Sequence, residues 1–155
     1  MQDTRGCIRR KRGAEAAGIG RSKGGLTSKI HAAVDALGLP IRTAITPGQW
    51  GDAPQARGLI EGLPGVSHVI CDAAYDADHL RDFITDDLKA TAQIKPNPSR
   101  AIQPETDWHL YKERHLIECF FNRIKRFRRI ALRCEKTVTS FKAFVDLACA
   151  MAWIA

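Results

Sequence analysis

Tyr111-Lys112-Glu113-Arg114-His115-Leu116-Ile117-Glu118-Cys119-Phe120-Phe121-Asn122-Arg123-Ile124-Lys125 carries the clearest periodic pattern in the chain. At about 100° per residue, Leu116, Ile117, Phe120, Phe121 and Ile124, with Phe127 beyond, fill one arc of a helix. Tyr111, Arg114, Glu118, Asn122 and Lys125 share a stripe about 80° wide on the other side. The spacing predicts one long amphipathic helix from Leu110 to about Ile130, packed by its apolar face. Such a helix needs a sheet or other helices to cover it.

Upstream, Leu26 to Ala36 and Ile41 to Thr46 are apolar and β-branched runs separated by Gly38-Leu39-Pro40, the pattern of a β-hairpin. Asp52 and Pro54 supply a helix start, with Asp52 as N-cap, and Pro64-Gly65 stops that helix. Val66 to Cys71 predicts a short buried strand ending at Asp72. Asp78 starts a helix through Leu80, Phe83, Ile84 and Leu88, and Ala90 to Ile94 is a further strand. After the long helix, Val138 to Ile154 predicts a closing one. The order β-β-α-β-α-β-α-α argues for an α/β fold, a mixed sheet layered between helices, without internal repeats.

The chain has 155 residues, enough for one domain, and 45% apolar content supports a packed core rather than disorder. Five cysteines, Cys7, Cys71, Cys119, Cys134 and Cys149, are odd in number and widely spaced, which argues against a disulfide framework or a structural zinc site. No apolar segment follows Met1 to suggest a secretory signal. The apolar run Leu147 to Ala155 is too short to span a bilayer. A reducing cytoplasm is the expected compartment.

The net charge of +7 is unevenly placed. Residues 1–29 carry eight Lys or Arg and two acids, residues 30–111 carry six and eleven, and residues 112–136 carry nine and three. A charge run alone is often a solvated face. Two basic blocks around a carboxylate-rich middle fit a nucleic-acid cleft that also holds cations. Residues 1–25, with Arg9-Arg10-Lys11-Arg12 and a glycine-rich stretch, predict a basic flexible arm.

Tyr111, Arg114, Glu118 and Lys125 match the Y-x2-R-x3-E-x6-K pattern, and with it the sequence resembles bacterial insertion-sequence transposases of the DDE type. Gly20-Arg21-Ser22-Lys23-Gly24-Gly25-Leu26-Thr27-Ser28-Lys29-Ile30-His31, Thr46-Pro47-Gly48-Gln49, Cys71-Asp72-Ala73-Ala74-Tyr75-Asp76 and Phe127-Arg128-Arg129-Ile130-Ala131 also resemble segments of that family, in order. The resemblance runs from about residue 12 to the end.

It implies a ribonuclease-H-like catalytic domain over residues 26–155, in which three carboxylates bind two Mg²⁺ or Mn²⁺ ions for cleavage and strand transfer at insertion-sequence ends. By position, Asp72 and Glu118 are two catalytic, metal-binding carboxylates. Tyr111, Arg114, Lys125 and Arg129 contact DNA. The implied partner is double-stranded DNA, bound by a homo-oligomer assembled on it, in the nucleoid of a bacterial cytoplasm.

Each acid also has an ordinary reading. Glu118 can simply pair with Arg114 or Asn122 one turn away. Asp72 or Asp76 can cap the turn that follows the strand, although ligands in α/β sheets do gather at strand C-termini. Asp76 and Asp78 read as cap and first-turn residues, and His31 and His115 as core or DNA-side polar groups, since Mg²⁺ prefers oxygen.

The first carboxylate of the family pattern is expected on an opening strand in an Asp-Ser-Thr context. Here the available acid is Asp3, followed by Thr4, and Gly6 to Arg12 shows no strand alternation. The opening strand is therefore expected to be absent. Either this portion is joined to an upstream reading frame or it is a truncated, inactive DNA-binding remnant. In both cases the isolated chain is expected to have weak strand-transfer activity, because a metal pair lacking one ligand is impaired.

Overall fold

The computed structural model describes residues 18–22 and 25–154. Its strands are β1 (Gly20–Ser22), β2 (Gly25–Val34), β3 (Pro40–Pro47), β4 (His68–Cys71) and β5 (Thr91–Ile94). Its α-helices are α1 (Ala53–Ile60), α2 (Asp78–Asp82), α3 (Trp108–Tyr111), α4 (His115–Ile124), α5 (Arg128–Ala131) and α6 (Val138–Ile154). Two 3-10 turns, Ala73–Tyr75 and Lys112–Arg114, and a π turn, Phe83–Asp87, link them.

The expected hairpin is present. β2 and β3 pair antiparallel, with Ile30 opposite Ile45 and His31 opposite Ala44. Asp35 shapes the turn, its Oδ1 accepting the backbone N–H groups of Leu37 and Leu39, and Gly38 takes the positive φ that the reversal requires. β4 and β5 run parallel, as strands joined through a helical crossover should. The closing helix has the bounds that its period predicts.

Four expectations are corrected. The fold is mixed α/β, but the strands form two sheets, β1-β2-β3 and β4-β5, rather than one. The basic arm expected over residues 1–25 is not unpaired throughout, because Gly20–Ser22 pairs with β2, and residues 1–17, 23 and 24 lie outside the described residues. The long helix is broken: Lys112–Arg114 tightens into a 3-10 turn, and α4 ends at Ile124 before α5 begins. Asp52 stands at the N-cap position of α1 without a side-chain cap bond, because its carboxylate takes the stronger, charge-assisted bond from Lys29 Nζ at 2.9 Å.

Two apolar clusters hold the layers. On one face, Ala56, Leu59 and Ile60 of α1 and Leu80 of α2 join Val69, Phe83, Ile84 and Ile94, with Ala33 and Ala44 against them. On the other, Phe120 and Ile124 of α4 and Phe141, Val145 and Ala148 of α6 bury against Ile30, Ala32, Val34 and Ile45. The β2-β3 ribbon thus separates α1 from α4 and α6. Trp153 Nε1 donates to the Pro40 carbonyl at 2.9 Å and ties the end of α6 to the hairpin.

Asp76 is a polar anchor rather than a helix cap. Its side chain is 0% exposed and accepts from Arg81 Nε at 2.8 Å, Arg100 Nε at 2.6 Å and the Asn97 backbone N–H at 2.7 Å. Asp78 begins α2, with Ala77 at the cap position, and its carboxylate pairs with Arg100 Nη1 at 2.6 Å. Burial alone would raise the Asp76 pKa, but the bonds from Arg100, Asn97 and Arg81 overcome it and hold the carboxyl at about 2.

Because that value lies below the usual carboxylate range, the contribution to stability is present above about pH 4 and disappears as pH falls through 2. Asp76→Asn leaves two arginines facing a neutral group and is expected to cost roughly 3 kcal/mol. Urea denaturation at pH 7 checks this, and a variant as stable as the parent contradicts it.

Candidate active site

β4 ends at Cys71, and the chain turns at Asp72 into the 3-10 turn Ala73–Tyr75. Asp72 Oδ1 caps that turn by accepting the Ala74 N–H at 3.0 Å, so its ordinary reading holds. Among the described residues Oδ2 has no hydrogen-bond donor, and the side chain stays partly exposed. One carboxylate oxygen fixes the turn, and the other takes no part in that bond.

The second carboxylate comes from the opposite layer. Asp107 caps α3 through its Oδ1, which accepts the His109 and Leu110 N–H groups at 2.8 and 3.1 Å. Tyr111 ends α3, Arg114 ends the 3-10 turn, and Glu118 lies one turn into α4. Burial of Phe120 and Ile124 turns Glu118 outward, its side chain 54% exposed. Arg114 Nη2 holds Glu118 Oε1 at 2.5 Å, the ordinary i,i+4 pairing.

These two regions meet. The turn 112–114 packs on β4 and α3 packs on β5. Burial raises the Tyr111 phenol pKa; Arg114 opposes the shift, and Asp72, Cys71 and Glu118 add to it. Burial works against the charge of Arg114, yet Glu118, Tyr111 and Asp72 together lift its pKa above the ordinary value. Asp72 and Glu118 therefore act electrostatically on the same phenol and the same guanidinium. Burial, with Asp72 next door, pushes the Cys71 thiol up to about 12 against the pull of Arg81, so this cysteine is not a nucleophile.

The remaining expected DNA contacts sit farther along. Lys125 is the exposed C-cap of α4, with Nζ 6.0 Å from the centre of the Phe121 ring. Arg129 belongs to α5, where it pairs with Glu135 at 2.7 Å and lies 4.5 Å over the Phe144 ring. Its guanidinium is thus engaged within the fold, apart from Tyr111, Arg114 and Glu118.

The hard oxygens of Asp72 and Glu118 suit a divalent cation. Among the described residues, no three His, Cys, Asp or Glu side chains gather as a metal-holding group. The described residues alone do not make up a three-carboxylate, two-ion centre. Asp3, the acid that the sequence offers as a third ligand, lies outside the described residues.

A family model described as a transposase DDE domain matches residues 4–153. The chain belongs to the DDE transposase-domain family. It is also similar to a Brucella ovis protein named as a candidate transposase for insertion sequence element IS6501, with 67% identity over 129 residues, covering 83% of this chain and 99% of that one. No solved structure matches. In this DDE transposase domain, the fifteen-residue stretch from Tyr111 to Lys125 is the passage that pointed to the family.

Sequence reasoning missed a polar cluster on β2. His31 is buried, its Nε2 2.7 Å from Thr46 Oγ1, and Asp52 bridges the strand to α1 through Lys29. Alternating β2 residues held the available signal, since a histidine and a lysine flank Ile30. His31 is a core group and His115 an exposed one, with Nδ1 2.9 Å from the Lys112 carbonyl.

Burial lowers the His31 pKa, Asp52 opposes it and Lys29 adds to it. The imidazole is therefore neutral at pH 7, and its 3.9 Å approach to Asp52 is not an ion pair. A depressed histidine pKa means that the unfolded chain binds the proton first, so stability is lost as pH falls below about 6.5. His31→Gln is expected to remove that loss between about pH 6.5 and 5. Thermal unfolding of both proteins across that interval checks it, and parallel curves contradict it.

Proposed function

We propose that this chain is the catalytic portion of an insertion-sequence transposase, cutting and joining DNA strands at element ends with Mg²⁺ or Mn²⁺. The observation that carries the reading is the packing of the turn 112–114 on β4, which brings the segment holding Tyr111, Arg114 and Glu118 to the strand that Asp72 follows. The placement of Asp72 and Glu118 at a strand C-terminus and on a covering helix supports a ribonuclease-H-like catalytic unit over residues 26–155.

In this reading Asp72 and Glu118 hold the metal, and a third carboxylate comes from outside the described residues. A pair of divalent ions supplies, when bound, activation of a hydroxyl and stabilisation of the leaving oxygen at phosphorus. The protein's part is placement. Arg114 exchanges Glu118 for a DNA phosphate, and its planar fork suits two phosphate oxygens. Lys125 meets a neighbouring phosphate as a point charge. Tyr111 remains a phenol and donates its O–H to the strand near the scissile position.

Arg129 contacts the backbone once Glu135 releases it. The partner is double-stranded DNA, engaged by a homo-oligomer assembled on it, and the setting is the bacterial cytoplasm where the nucleoid lies. No described helix is long and apolar enough to cross a membrane.

A DNA-binding remnant without catalysis is the second reading, in which the basic residues serve DNA and the carboxylates hold no metal. Asp72→Asn and Glu118→Gln distinguish the two. Both should fold, since Glu118 is exposed and an exposed pair contributes about 1 kcal/mol or less. If the carboxylates face phosphate, each change raises metal-free DNA affinity by roughly threefold and abolishes Mn²⁺ binding to the complex. DNA titrations and Mn²⁺ electron paramagnetic resonance read both effects. Salt-dependent DNA binding indifferent to either substitution supports the remnant instead.

A further inference from the structure

Between Cys119 and Cys134 the chain carries six cations, Arg123, Lys125, Arg126, Arg128, Arg129 and Arg133, and no acid. Arg129 finds Glu135 beyond that stretch, and Arg133 turns inward, its Nη1 donating to the Gly18 carbonyl at 3.0 Å and its guanidinium lying 4.9 Å over the Phe141 ring. The side chains of Arg123, Arg126 and Arg128 have no ion-pair or hydrogen-bond partner among the described residues. Arg81, Arg100, Arg114 and Lys142, by contrast, each face a carboxylate. A solvated face ordinarily mixes both signs, because like charges one helical turn apart repel. Arg123 and Arg126, and Lys125 and Arg129, stand at such spacings with no acid between them.

The backbone presents these charges on a pinned elbow. Ile124 ends α4 and Ile130 lies within α5, and both are buried in the cluster around Phe141. The five residues between them, Lys125 to Arg129, are all exposed. The Arg126 N–H donates to the Arg123 carbonyl, the Phe127 N–H to the Ile124 carbonyl, and the Ile130 N–H to the Phe127 carbonyl. The elbow is thus fixed at both feet by apolar burial and through its middle by backbone hydrogen bonds.

Phe127 is the central residue of the elbow. The helical period assigns its ring to the packed face, but α4 stops at Ile124 and the turn carries the ring out of phase, 38% exposed and outside both apolar clusters. An aromatic ring left at solvent with two cations on either side suits a nucleic-acid groove, where the ring meets sugar and base edges while the cations hold phosphates.

We propose that the elbow Lys125–Arg129 is an anchoring surface for the backbone of duplex DNA, in which Arg126 and Arg128 hold phosphates on either side of Phe127, with Arg123 one turn behind. Five residues in a tight turn span roughly 8 Å, against about 3.4 Å of duplex axis per phosphate on one strand, so the elbow meets two or three consecutive phosphates. Arg126 and Arg128 have no acid to release, and they engage DNA before the Arg114 and Arg129 ion pairs have to open. Residues 1–17 carry five Lys or Arg and two acids, a net positive segment that this surface repels. The inference rests on the DNA partner of the proposed function and on neither Asp72 nor Glu118.

The test uses the full chain without metal and a DNA duplex of arbitrary sequence, titrated at several salt concentrations. Arg126→Gln combined with Arg128→Gln is expected to lower the slope of log affinity against log salt by about two, and to weaken binding roughly tenfold or more near 0.1 M salt, equally on unrelated sequences. The corresponding double change to lysine keeps the slope. Phe127→Ala is expected to weaken binding severalfold at an unchanged slope. Should the double glutamine variant fail to fold, each single change decides the matter with a slope lower by about one. An unchanged slope overturns the proposal, as does a loss of binding to vesicles of anionic phospholipid without a loss of binding to duplex. An unchanged slope here, alongside loss of Mn²⁺ binding in Asp72→Asn and Glu118→Gln, defeats the elbow alone. A lowered slope alongside indifference to both carboxylate changes defeats the catalytic reading and keeps the elbow.

Discussion

Phe120 and Ile124 are sealed against β2 and α6, and that burial orients everything on the outer side of the same chain segment. Once they point inward, Glu118 points outward, and the tighter turn at 112–114 brings Arg114 and Tyr111 into line with it. A 3-10 turn eclipses residues three apart, so the departure from ideal α geometry sharpens the alignment of Tyr111 with Arg114. The polar face is a by-product of how the apolar face packs.

Asp72 shows how one carboxylate can serve two ends. Its Oδ1 belongs to the turn at the end of β4, where it accepts the Ala74 N–H. Positioning of this kind costs little flexibility, because the backbone that presents the group is itself held by it. Asp76, four residues on, is wholly committed to structure, joining α2 to the segment 97–100 through two arginines. Two acids in one short stretch thus have opposite fates, set by the number of donors around each.

The sequence made the local elements legible and the distant ones obscure. The hairpin could be read because β2 and β3 alternate on either side of Gly38, and α6 because its period and its bounds coincide. The breaks at 112–114 and after Ile124 were hidden, since apolar spacing tolerates a single 3-10 turn without losing its face. The division of the strands into two sheets was invisible too, because strand pairing is a tertiary choice that alternation does not encode. Asp72 and Glu118 were singled out by family resemblance, and the part of their setting that the structure shows is local, a cap after β4 and an exposed position in the first turn of α4. The bonds of Asp76 to Asn97 and Arg100, 21 and 24 residues away, left no periodic trace.

Arg114 and Arg129 each already hold a carboxylate, Glu118 and Glu135. A nucleic acid docking on these two arginines, as proposed, would meet guanidinium groups with resident anions rather than bare ones. Docking would then be a substitution of one anion for another, with a glutamate displaced from its arginine for each phosphate admitted. Paired arginines of this kind would resist casual polyanions and favour a backbone able to replace both glutamates.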